Sequence, residues 1–135
     1  MKKKILIVAA EYYEDISNSL VDSALKTVKE YNKVKKYEWH TIHVPGVFEI
    51  PYIISKNIKK FDIFIALGCV IKGETPHFEF ISQATTNAIL QLSIAHKKPI
   101  ANGIITCLNK EQAVERAVKK GREAAAAALT IGDLK

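Results

Sequence analysis

The stretch IFIALGCVI, residues 63–71, indicates the fold class, because it is a continuous apolar run of strand length. Strands that are apolar at every position are typical of parallel sheets covered by helices on both faces. A second run of this kind, KILIVAA, occupies residues 4–10. Both runs are far too short to span a bilayer. They therefore predict buried strands, and no membrane segment is expected.

The rest of the chain alternates strands with helices around these two runs. Further strands are predicted at YEWHTIHV, residues 37–44, and at PIANGIITC, residues 99–107. Four helices are predicted. The first begins after an N-cap at Asp15, the second runs from Pro51 to about Lys59, and the third runs from Phe78 to Ala95. The fourth continues from Lys110 and could break at Gly121. Such alternation implies right-handed crossovers and a parallel α/β sheet.

Length and composition indicate a single domain over residues 1–135. The apolar content of 48% and the charged content of 25% are ordinary for a globular protein. Cys69 and Cys107 lie far apart, without CxxC spacing or paired histidines. This pattern argues against a zinc site or a disulfide framework and is typical of a reducing cytoplasm.

The net charge of +6 raises the question of nucleic-acid binding. The lysines are scattered in pairs and triples, and no aromatic side chains interleave with them as in a binding motif. A small anionic substrate accounts for the charge at least as well. Nucleic acid is therefore not an expected partner.

Three loops should meet at one edge of the predicted sheet, because ligands of open parallel sheets bind outside the carboxyl ends of the strands. They are AEYYEDI at 10–16, VPGVFEIP at 44–51 and GCVIKGETPH at 68–77. AEYYEDI lacks the phosphate cradle that a flavodoxin needs. Gly68 and Cys69 stand where a response regulator needs an acceptor aspartate. Both of these alternatives are therefore disfavoured.

Each loop offers side chains with two interpretations. Tyr12 could stack on a planar ring or pack as amphipathic surface. Glu49 could accept hydrogen bonds from a ligand or stabilise a helix dipole. His77 could be a general acid/base beside an anion-binding GETPH turn, although a lone histidine after a strand is usually structural. Arg116 and Lys120 share a helix face, which could bind an anion or be solvated.

Together these loops resemble the lumazine synthase (6,7-dimethyl-8-ribityllumazine synthase) family of riboflavin biosynthesis. The resemblance covers essentially the whole chain and is carried by VPGVFEIP at 44–51, ALGCVIKGETPHFEF at 66–80, NGIIT at 102–106 and EQAVERA at 111–117. It implies a flavodoxin-like, three-layer α/β/α sandwich with a four-stranded parallel sheet of strand order 2-1-3-4.

The resemblance also implies a role for each candidate residue. His77 would transfer protons. The residues implied for 5-amino-6-(D-ribitylamino)uracil are Tyr12, Val47, Phe48, Glu49, Cys69, Val70, Ile71 and Asn102. Asn102 would act in a neighbouring subunit's site. The residues implied for the phosphate of 3,4-dihydroxy-2-butanone 4-phosphate are Glu74, Thr75, Arg116 and Lys120. Cys107 departs from the family pattern, where threonine follows NGIIT.

The implied reaction condenses a ring amine with the butanone carbonyl, releases phosphate and water, and needs no metal and no redox cofactor. The resemblance further implies a cytoplasmic homo-oligomer, a pentamer that could assemble into a sixty-subunit shell, with riboflavin synthase as a candidate partner. Two alternatives stay open. An archaeal-type riboflavin synthase is disfavoured by the phosphate turn with Arg116. A catalytically idle flavin-binding or shell protein is disfavoured by His77, Glu49 and Arg116.

Overall fold

The computed structural model describes residues 2–34 and 36–134. Its strands form one parallel sheet in the order β2-β1-β3-β4, which confirms the predicted flavodoxin-like α/β sandwich and its strand order. The strands are β1 Lys3–Ala10, β2 Tyr37–Val44, β3 Ile63–Ile71 and β4 Ile100–Cys107. The predicted domain over 1–135 begins and ends on residues that lie outside this described part of the chain.

Helices follow each strand and cover both faces of the sheet. They are α1 Glu14–Tyr31, α2 Ile50–Asn57, α3 His77–His96 and α4 Lys110–Gly132, with a short 3-10 turn Val47–Glu49 before α2. Helices α1 and α4 pack on one face, and α2 and α3 pack on the other. No helix in the described ranges is both long enough and apolar enough to cross a membrane.

Alternate residues of the central strands enter the two different layers. Ile5 and Ile7 belong to the core beneath α1 and α4, whereas Leu6 and Val8 belong to the core beneath α2 and α3. All four side chains are fully buried. Because both faces of β1 are covered from Ile5 onward, every residue from Ile5 to Ala10 is apolar and buried, and only Lys3 and Lys4 at its beginning are exposed.

The predicted N-cap of α1 is wrong. The helix begins at Glu14, and its capping residue Tyr13 has extended backbone and makes no side-chain capping bond. Asp15 lies within the first turn, where its carboxylate is 3.4 Å from the Lys110 Nζ atom. A carboxylate is favourable anywhere in the first turn of a helix, so its presence alone does not identify the capping position.

The predicted break in α4 at Gly121 is also wrong, because the helix is continuous from Lys110 to Gly132. Helix α1 packs directly against this glycine. A Cβ atom at Gly121 would collide with the Ser23 side chain and the Leu20 carbonyl oxygen. The glycine therefore allows a close approach of two helices, and the surrounding helix tolerates its weak propensity.

A second glycine, Gly68, determines how the loop after β2 meets the sheet. A Cβ atom at Gly68 would lie only 2.7 Å from Val47 Cγ2 and 3.2 Å from the Ala10 Cβ atom. Real side chains do not approach this closely, so the bare backbone of β3 is what lets Val47 pack against it. The 3-10 turn Val47–Glu49 is thereby held at the carboxyl end of the sheet.

Candidate active site

A pocket of about 570 Å³ opens at the carboxyl ends of β1, β2 and β3. Its wall combines the loop after β1, the turn before α2, the last residues of β3 and the beginning of α3. The lining residues are Tyr12, Tyr13, Gly46, Val47, Phe48, Glu49, Cys69, Val70, Ile71, His77 and Ile81. The pocket thus brings together His77 and every residue predicted for the uracil substrate except Asn102.

Three lining residues were not among the predicted site residues: Tyr13, Gly46 and Ile81. The ring of Tyr13 lies edge-on to that of Tyr12, with ring centroids 5.0 Å apart and an interplanar angle of 83°. Ile81 follows His77 by four residues, so both project from the same face of α3. That spacing is a signal from which Ile81 could have been predicted.

Aromatic side chains stand exposed at the mouth of this pocket. Tyr12 is 76% exposed and Phe48 is 61% exposed, although both are large and apolar. They come from different loops and line the same opening. Aromatic faces in this position suit the stacking of a planar heterocyclic ring.

Glu49 brings a carboxylate to the same pocket wall. A Cβ atom at Gly46 would lie 3.1 Å from Glu49 Oε1, so the carboxylate folds back over the glycine. Glu49 also occupies the N-cap position of α2 but makes no side-chain capping bond there. Its oxygen atoms therefore remain able to accept hydrogen bonds from hydroxyl or N–H groups of a ligand.

His77 is the first residue of α3 and is exposed toward the pocket. Its backbone N–H donates to Thr75 Oγ1 at 3.4 Å. Glu74 and Thr75 are exposed in the loop just before the helix and do not themselves line the pocket wall. The predicted phosphate turn consequently lies beside His77, at the amino end of a 20-residue helix.

Arg116 and Lys120 lie in a different place from His77. They line a groove of about 420 Å³ along the outer edge of β4, together with Ile104, Ile105 and Thr106. This groove shares no lining residue with the pocket that contains His77. One copy of the chain therefore does not bring all the predicted phosphate ligands together.

Asn102 is likewise separated from the His77 pocket. It lies on the edge strand β4, on the same side of the sheet as α3, and its side chain is exposed there. Its Oδ1 atom accepts a hydrogen bond from the Ile104 backbone N–H at 3.0 Å. This bond uses one of the two lone pairs of the amide oxygen, and it leaves the two N–H donors of the amide unused within the described residues.

The two cysteines are free and buried. Burial, followed by the neighbouring Cys107 thiol, raises the pKa of Cys69 to about 12. Cys69 is therefore a neutral thiol at physiological pH and contributes an apolar wall, because the thiolate is the reactive form. In residues 2–34 and 36–134, no group of three or more His, Cys, Asp or Glu side chains could hold a metal ion.

The sheet and its pocket define a flavodoxin-like α/β protein whose aromatic-lined pocket lies at the carboxyl edge of the sheet, where open parallel sheets bind their ligands. Residues 2–135 match the family model described as 6,7-dimethyl-8-ribityllumazine synthase. The chain belongs to the 6,7-dimethyl-8-ribityllumazine synthase family. The predicted family is thus confirmed, and with it the enzyme class: a transferase of riboflavin biosynthesis.

Individual relatives agree with this assignment along most of their length. The 6,7-dimethyl-8-ribityllumazine synthase of Buchnera aphidicola subsp. Baizongia pistaciae is 44% identical over 133 residues, which cover 96% of this chain and 83% of the relative. The enzyme of the same name from Bartonella tribocorum is 41% identical, and the match covers 100% of this chain and 93% of the relative. That of Agrobacterium fabrum is 39% identical, and the match covers 99% of this chain and 95% of the relative.

Proposed function

We propose that this chain condenses 5-amino-6-(D-ribitylamino)uracil with 3,4-dihydroxy-2-butanone 4-phosphate to form 6,7-dimethyl-8-ribityllumazine, phosphate and water. The observation that carries the proposal is the shared pocket of His77, Tyr12, Phe48 and Glu49. It combines a proton-transfer group, aromatic faces and a hydrogen-bond acceptor. The loop of Thr75, which can hold a phosphate, lies directly beside the histidine.

In this mechanism the pocket acts mainly by holding two reactants together. Tyr12 and Phe48 stack against the uracil ring, and Glu49 accepts hydrogen bonds from its polar groups. The ring amine attacks the butanone carbonyl, and loss of water gives an imine. His77 transfers protons during imine formation and during the elimination that releases phosphate. Elimination of phosphate leaves an enol at the neighbouring carbon, and this enol tautomerises to a new ketone as a proton moves to the terminal carbon. Attack of the ribitylamino nitrogen on that new carbonyl, with loss of a second water, closes the second ring.

The test supplies both substrates and follows lumazine fluorescence together with phosphate release. We expect one phosphate for each lumazine formed. An archaeal-type riboflavin synthase would instead convert added lumazine into riboflavin. A catalytically idle shell protein would do neither. Absence of lumazine formation above the uncatalysed rate would overturn the proposal.

We further propose that two copies of the chain complete each site. Arg116 and Lys120 of α4 line a groove beside β4 and apart from His77, and Asn102 is exposed on that edge strand. A phosphate bound by both Thr75 and Arg116 therefore requires a head-to-tail contact between neighbouring copies. Heterologous contacts of this kind close into rings.

The proposed ring is a pentamer, which could assemble further into a sixty-subunit shell. Large apolar side chains on α3 support burial in an assembly, because Phe80, Leu90 and Ile94 are each more than half exposed. The two buried free cysteines support a reducing compartment, and we place the enzyme in the cytoplasm. Riboflavin synthase, which consumes the lumazine, is the proposed protein partner.

Mixing two defective variants should restore activity if sites are shared between copies. His77→Ala removes the proton-transfer group, and Arg116→Ala weakens the phosphate contact at low butanone phosphate concentration. In random hybrid rings, about one quarter of the sites combine an intact pocket with an intact neighbouring edge. The measurement is turnover after the unfolded variants are refolded together, with each variant refolded alone as the control. Activity no higher than the mean of the two separate variants would exclude shared sites.

A further inference from the structure

The Cys107 thiol lies between the wall of the His77 pocket and Arg116. Cys107 is the last residue of β4 and is only 1% exposed. Its Sγ atom accepts a hydrogen bond from Arg116 Nη1 at 3.9 Å. It shares one core with Cys69, which lines the pocket, and the register pairs Cys69 with Ile105, two residues before Cys107.

Arg116 has few other partners that could orient it. Within the described ranges, it forms no ion pair with a carboxylate, and the Cys107 sulfur is the one side-chain acceptor within hydrogen-bond distance. Glu123, which lines the same groove, pairs instead with Lys119 at 3.8 Å. An exposed arginine without a partner samples many rotamers and loses that freedom when it binds an anion.

We propose that Cys107 is a positioning residue, whose sulfur holds one N–H of Arg116 so that its remaining donors face the substrate phosphate. This inference rests on the proposed function, in which Arg116 binds that phosphate. Sulfur is a weak and uncharged acceptor. It therefore orients the guanidinium without neutralising its charge, whereas a carboxylate in the same position would compete with the phosphate.

The test variant is Cys107→Val, which fills a similar volume but cannot accept a hydrogen bond. We expect the KM for butanone phosphate to rise about two- to tenfold, the effect of losing one hydrogen bond. The turnover number and the KM for the uracil substrate should not change. The inhibition constant of inorganic phosphate should rise by the same factor. Cys107→Ser, which retains an acceptor, should restore most of the affinity.

Controls separate this positioning role from a general loss of stability. Val28→Ala alters the same core near the far end of α1, and it should lower the melting temperature without changing either KM. Cys107→Ala provides a second variant if valine prevents folding. A rise in both KM values together, or no rescue by Cys107→Ser, would show that Cys107 is merely structural.

A double-mutant cycle with Arg116→Ala distinguishes the two proposals. If Cys107 acts through Arg116, then Cys107→Val should have no further effect on the phosphate KM once Arg116 is alanine. Suppose that Arg116→Ala raises that KM. If Cys107→Val then adds its full effect in the Arg116→Ala background, or if it has no effect on the KM with or without Arg116, the positioning role is overturned while the proposed function stands. If Arg116→Ala leaves the phosphate KM unchanged, the proposed role of Arg116 fails, and that of Cys107 fails with it.

Discussion

Replacing His77 with alanine is expected to lower the turnover number about 10²- to 10⁴-fold, the usual contribution of a positioned general acid or base. His77 is the one imidazole that lines the pocket in the described part of the chain, and it adjoins the phosphate turn. Some activity should remain, because the pocket would still hold the two reactants together. The measurement is the turnover number at saturating concentrations of both substrates.

The matched control for His77 is the histidine at the other end of the same helix. His96 is exposed and is the last residue of α3, so His96→Ala changes the same residue type far from the pocket. This variant should keep the turnover number of the unmodified chain. An unchanged turnover number in His77→Ala would reduce His77 to a structural residue at the beginning of α3.

Replacing Arg116 with alanine should raise the KM for butanone phosphate about 10- to 150-fold and spare the uracil substrate. A hydrogen bond to a charged group contributes about 1.5–3 kcal/mol, and arginine can bind phosphate oxygen atoms through two parallel bonds. Arg116→Lys keeps the positive charge but loses this paired geometry, so an intermediate KM is expected. Steady-state kinetics with each substrate varied in turn measures both effects.

Arg122 provides the control for Arg116, because it is an exposed arginine on the same helix. Arg122→Ala removes the same charge from the chain and should change neither KM. If Arg116→Ala weakens the binding of both substrates equally, Arg116 supports the fold or the assembly and does not bind the phosphate. A change of oligomeric state in the variant, measured by light scattering, would show that Arg116 supports the assembly.

The positions of the strands and their parallel direction follow from local patterns in the sequence, whereas their order was implied by the family resemblance. The bounds predicted for β2 and β3, residues 37–44 and 63–71, are those of the structure. Hydrophobic runs and turn residues are properties of neighbouring positions, and the alternation of strands with helices restricts the sheet to parallel topologies. The meeting of three loops at one edge of the sheet follows from that topology.

Helix details were less predictable, because they depend on contacts with distant segments. Asp15 has the chemistry of an N-cap, but the helix begins one residue earlier and this carboxylate pairs with Lys110. Gly121 has the weak propensity of a helix breaker, but close packing against Leu20 and Ser23 is what requires a glycine there. Propensity is a weak local preference that tertiary packing overrides.

The composition of the site was decided partly by sequence and partly by tertiary structure. The motifs identified His77, Glu49 and Arg116, but spacing along the chain does not say which of them share a pocket. Arg116 lies on a groove of its own because β4 is an edge strand, so its outer side faces away from the His77 pocket. The contact between Arg116 and Cys107 likewise depends on how α4 packs across the end of β4. Proximity of this kind arises from strand register and helix packing, which bring together residues that no local pattern connects.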